Sequence, residues 1–138
     1  MHIQTSDLAE ALHYRVSCLH ELHTLSQTQS LLLDEADYTG FVLLGEAKEE
    51  LIKSIAAVDG NVDKILKLPG ALEGIADCDL ASHRSLARDA ARLMASIVSI
   101  DRTNQKRLEQ IKADVFRLLQ ATQHERHLRK TYEAWAIQ

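Results

Sequence analysis

The chain has 138 residues, enough for one domain, and 46% of them are apolar against 26% charged; that balance excludes a disordered polypeptide. Its formal charge of −4 hides an asymmetry, since residues 1–79 carry 5 Lys and Arg against 14 Asp and Glu while residues 80–138 carry 11 against 6. The basic half interleaves both signs, as in Arg102, Lys106, Arg107, Glu109, Lys112 and Asp114, whereas phosphate neutralisation favours an uncancelled basic face, so no nucleic-acid partner is expected.

The N-terminus, MHIQTSDLAEALHYR, lacks a basic stretch followed by an apolar run and does not read as a secretory signal. Thr5, Ser6 and Asp7 are each able to cap a first helix, predicted over residues 6–35. Its apolar face reads Leu8, Leu12, Val16, Leu19, Leu22, Leu25 and Leu32, in steps of three or four until the last interval. Cys18 sits on that helix as a packing residue, and with Cys78 sixty residues on it forms no framework, which suggests a reducing compartment. No Gly or Pro marks the helix end. The break is inferred from Asp37, a candidate cap for a second helix, with Asp34 and Glu35 favourable at its positive pole.

The second helix, predicted over 38–67, has the clearest signal. Phe41, Leu44, Lys48, Leu51, Ile55, Val58, Val62 and Ile65 alternate steps of three and four, the 3.5-residue repeat of a knobs-into-holes seam. Pro69-Gly70 stops it. Residues 68–79 form a connector with a single turn at Ala71–Ile75, and Asp77 and Asp79 are candidate caps for the next helix.

From Leu80 to Trp135 there is neither Pro nor Gly, which predicts a third helix over 80–135, roughly 80 Å long if continuous. Its apolar face runs Leu86, Ala90, Leu93, Ile97, Ile100, Asn104, Leu108, Ile111, Val115 and Leu118. Two steps of four around Asn104 shift the seam as a stutter does. Beyond Leu119 only Leu128, Tyr132 and Trp135 form an apolar stripe. With one Pro, five Gly and 4% aromatics rich in neither Val nor Thr, the chain is all-α. It reads as a single helical domain over 1–138, an antiparallel helical bundle or coiled coil of two roughly 30-residue helices and one long C-terminal helix. No apolar run is long enough for membrane insertion, so a soluble, cytoplasmic protein is expected.

Residues that carry chemistry are sparse. His20-x-x-His23 and Glu10-x-x-His13 share a helix, but a helical di-metal site needs two Glu-x-x-His copies and further carboxylates. His124-x-x-His127 lies among Arg126, Arg129 and Lys130, whose charge repels a divalent cation. No metal, cofactor or catalytic residue is expected, and no nucleotide-binding or hydrolase motif occurs, so the chain reads as something other than an enzyme. Lys48 and Asn104 interrupt apolar seams, either to fix register or to meet a partner. The Leu128, Tyr132, Trp135 stripe either folds onto its own bundle or offers a docking surface.

This layout resembles the FlgN-type flagellar export chaperones. The resemblance rests on Leu33, Glu35, Asp37, Phe41, Leu44, Lys48 and Leu51 across the first turn, and on Asn104 in the middle of the third helix. It implies a cytosolic type III export chaperone that binds the C-terminal helical region of hook–filament junction proteins and delivers them to the export gate. The substrate site implied lies near the end of the third helix, at Val115, Leu118, Leu119, Leu128, Tyr132 and Trp135. Tyr132 is also the candidate for contact with the export gate. Two other readings stand beside it: a structural coiled-coil adaptor or homodimer paired through the end of the third helix, and a related chaperone for the filament cap protein.

Overall fold

The computed structural model describes residues 5–70 and 77–137, and the side chains of residues 7–70 and 80–137. Three helices follow in order: α1 (Thr5–Asp34), α2 (Tyr38–Leu66) and α3 (Asp77–Ile137). No strand occurs among the described residues, so the chain is an all-α bundle. No helix among them is long and apolar enough to cross a membrane. The turn expected at Ala71–Ile75 lies outside the described residues, as do the side chains of Thr5, Ser6, Asp77 and Asp79 and the thiol of Cys78. α3 begins at Asp77, three residues before the expected start, so the connector ends sooner than 79 and Asp79 lies within the helix rather than at its cap. By its backbone contacts the chain divides into two units, Met1–Arg102 and Thr103–Gln138.

The reversal between α1 and α2 uses backbone geometry that carries no sequence flag. Ala36 takes a positive φ of 57°. Its N–H donates to the Leu33 carbonyl at 3.2 Å, and the Asp37 N–H donates to the Leu32 carbonyl at 2.8 Å. These two bonds satisfy carbonyls that the helix end leaves open, in the pattern usually built on glycine. Asp37 then caps α2 by accepting the Gly40 N–H on Oδ1 at 2.9 Å. Gly40 permits this approach, because a Cβ there would stand 2.6 Å from Asp37 Oδ2. At the far end α2 closes at Leu66, before Pro69 and Gly70, and Gly70 takes a φ of 75°.

Within the unit Met1–Arg102 the helices bury the faces that the spacing anticipates. Every seam residue of α2 from Phe41 to Ile65 is buried or half-buried, including Lys48, and so is every named α1 residue from Leu8 to Leu32. Cys18, Leu19, Leu22, Ile55, Ala90 and Ile97 form the core, with Val16, Leu51 and Leu93 packed against it. Each large aliphatic side chain removed from water there stabilises the fold by about 1.5–3 kcal/mol before chain entropy is counted. Arg15 Nη2 lies 3.8 Å from Met94 Sδ near one end of α1. Gln29 and Asp101, near the other, both meet Lys48. The first stretch of α3 therefore runs parallel to α1 and antiparallel to α2.

Polar contacts tie these helices at defined heights. Lys48 Nζ donates to Gln29 Oε1 at 2.9 Å and to Asp101 Oδ1 at 2.7 Å. Gln29 Nε2 donates to the Phe41 carbonyl at 3.0 Å. His23 Nε2 and Ser96 Oγ stand 2.9 Å apart, and Arg15 Nε lies 2.8 Å from Asp59 Oδ1. The charge asymmetry along the chain suggests acidic early helices against a basic α3. The Lys48–Asp101 pair has the opposite polarity, a cation from the acidic half meeting an anion from the basic half.

Candidate partner-binding surface

The heptad rhythm of α3 persists beyond the point at which its residues are covered. Ala90 and Ile97 are buried, as is Asn104 farther on. Within the unit Thr103–Gln138, Leu108 and Ile111 are half-buried. From Val115 the same positions face solvent: Val115 is 49% exposed and Leu118 67%. Leu119 and Leu128 are also exposed, and Tyr132 and Trp135 reach 75% and 74%. All six residues implied as a substrate site by the family resemblance thus lie open on one helix. Phe116 and Ile137 are exposed too; they fall off the periodic row, so spacing alone did not single them out.

These residues do not make a single straight stripe. Successive residues of an α-helix turn by about 100°, which sets Leu128, Tyr132 and Trp135 about a third of a turn away from Val115, Leu118 and Leu119. Supercoiling at 3.5 residues per turn narrows that gap and returns Tyr132 to the row of Val115 and Leu118. A partner helix wound around α3 therefore meets both groups, while a straight partner meets one.

Local pairs hold this helical segment together. Arg129 Nη2 lies 3.2 Å from Glu125 Oε1, and Gln110 Nε2 donates to Asp114 Oδ1 at 3.0 Å. Arg117 Nη1 stands 3.7 Å from Asp114 Oδ1. Each such exposed pair adds only a few tenths of a kcal/mol to the helix. They leave the apolar side chains unencumbered.

Elsewhere the candidate residues are structural. Lys48 is buried in the three-helix contact described above and offers no surface to a partner. His23 is engaged with Ser96, at an open groove of about 440 Å³ also lined by His20, Asp89 and Arg92. No group of three His, Cys, Asp or Glu side chains able to hold a metal occurs among the described residues. A second open groove, of about 570 Å³, lies between the start of α1 and the end of α2, with Ala11, Val58 and Ile65 on its floor and Asp7, Glu10 and Lys64 around it. Comparison of the chain with family models, with curated proteins and with solved structures gives no match.

Proposed function

We propose that this protein is a cytoplasmic export chaperone of the flagellar type III system, one that holds the C-terminal helical region of a hook–filament junction protein along the open end of α3. The single observation that supports the reading is the set of exposed apolar side chains from Val115 to Trp135, which begins where the buried seam of α3 ends. An amphipathic helix laid against Val115, Leu118, Leu119, Leu128, Tyr132 and Trp135 completes a coiled coil and removes the apolar faces of both partners from water. The gain, about 25 cal/mol per Å² of apolar surface, also prevents the substrate helix from assembling early. Tyr132, among the most exposed of the six, is also the candidate for contact with the export gate. The protein works by binding and release rather than by making or breaking bonds.

The test is a calorimetric titration of the full chain with peptides from the C-terminal helices of hook–filament junction proteins and of the filament cap protein. Saturable one-to-one binding of a junction peptide, lost in Leu118→Asp and Trp135→Ala, supports the reading. Binding of the cap peptide alone moves the protein to the cap chaperones. Binding of neither removes the export reading.

A further inference from the structure

We infer that the open end of α3 is also self-complementary, and that two copies of this chain pair antiparallel through residues 118–136. The inference concerns a second occupant of the surface just described and does not depend on the chaperone reading. Beyond Ile111 the heptad row continues as Leu118, Thr122, Glu125, Arg129, Tyr132 and Ala136. Its centre is polar, with Glu125 and Arg129 side chains 70% and 67% exposed. In one chain these two meet along the helix, but a charge pair set in a seam also specifies a register between helices.

A two-fold axis perpendicular to α3 fixes every contact once one is chosen. Setting Glu125 opposite Arg129 of the second copy makes the pair reciprocal, so two ion pairs form at the centre. The same register places Thr122 opposite Tyr132 and Leu118 opposite Ala136, with Trp135 flanking the seam beside Ala121 of the second copy. Large side chains thus face small or medium ones, and Tyr132 brings its hydroxyl to a threonine. A slip of one heptad toward greater overlap sets Glu125 against Thr122, so the carboxylate loses its guanidinium. It also sets Arg129 against Leu118, where the guanidinium loses its carboxylate. Charge therefore selects the first register over the longer one. The overlap is short, so the pairing is weak and reversible. Where the chaperone reading also holds, it covers the substrate face between deliveries.

The experiment is sedimentation equilibrium of the full chain from the low micromolar to the millimolar range, without any export substrate. Wild type is expected to show a concentration-dependent monomer–dimer equilibrium. Glu125→Arg and Arg129→Glu are each expected to weaken it about tenfold, since each turns two attractions into two repulsions. An equimolar mixture of the two variants is expected to regain wild-type association, because opposite charges then face each other between chains. The mixture is decisive, since the contact within each helix stays broken in both variants and cannot restore anything. Circular dichroism confirms that both variants fold. A wild-type chain that stays monomeric, single variants that pair as tightly as wild type, or a mixture no tighter than its components each overturn the proposal. The peptide titration reports on substrate separately, so either reading can fail without the other.

Discussion

Lys48 Nζ lies 2.7 Å from Asp101 Oδ1, joining a lysine of α2 that is only 9% exposed to a carboxylate of α3. Gln29 of α1 completes the contact from the third side, so one ammonium reads the height of all three helices. Among apolar seams that tolerate sliding by a heptad, a charge with two dedicated acceptors penalises every other alignment.

Removing that ammonium is expected to cost stability in proportion to what is stranded. In Lys48→Ala, Gln29 keeps its bond to the Phe41 carbonyl but loses a buried partner. The Asp101 side chain is 39% exposed and rehydrates. The expected loss is about 1–3 kcal/mol, below the range for a fully buried pair. Lys48→Met keeps the length and avoids the cavity, so it should lose less stability. Its seam then lacks the register device. Urea unfolding followed by circular dichroism measures the first effect, and broadening of amide resonances in α3 reports the second.

The α1–α2 turn makes a prediction in the stabilising direction. Ala36 holds φ at 57°, a conformation that costs an L-residue about 1 kcal/mol and glycine almost nothing. Ala36→Gly is therefore expected to raise the unfolding free energy by about 0.5–1 kcal/mol. Gly40→Ala runs the other way despite alanine's better helix propensity, because its Cβ would displace the capping carboxylate of Asp37 from 2.6 Å. A loss of about 1 kcal/mol is expected. Equal urea midpoints for Gly40→Ala and wild type would show that the cap contributes no more than the roughly 1 kcal/mol that alanine gains in helix propensity.

These two regions also show what a sequence can and cannot reveal here. The α2 seam and the Asp37 cap were legible, because alternating steps of three and four and a capping side chain are local signals. The helix end at Ala36 was not, since alanine carries no mark of the left-handed conformation that the surrounding hydrogen bonds impose. Lys48 was visible as an interruption, but Gln29 and Asp101 read as ordinary flanking polar residues; only packing pairs them. The open surface was legible in part. Spacing placed Val115 and Leu118 on the seam and set Leu128, Tyr132 and Trp135 apart as a stripe, whereas Leu119 entered only through the family resemblance. The angular offset between the two groups follows from the helical turn, and Phe116 falls outside any period.

Truncation tests whether the open end contributes to the fold. The side chains of residues 120–137 are exposed apart from Thr122, which is half-buried, and none of them belongs to the core around Leu19 and Ile97. Deleting residues 120–138 is expected to lower the helical signal in proportion to length while changing unfolding stability by less than about 0.5 kcal/mol. A drop of several kcal/mol in the monomer would mean that the deleted helix supports the core.

Trp135 offers a direct optical report, because it is the only tryptophan in the chain and lies 74% exposed. In dilute solution its fluorescence is expected to match free indole in water, with full access to a soluble quencher. Covering it by a partner helix removes water from the ring, shifts the emission to the blue and protects it from quenching. Raising the concentration of the chain alone should produce the same shift if a second copy covers it, and Glu125→Arg should suppress that shift, since it breaks the reciprocal pairs that hold the two-fold register. A junction-protein peptide should produce the shift at chain concentrations too low for self-pairing. Emission already blue and protected in the most dilute monomer would place Trp135 against its own chain, and the surface would then be closed to either occupant.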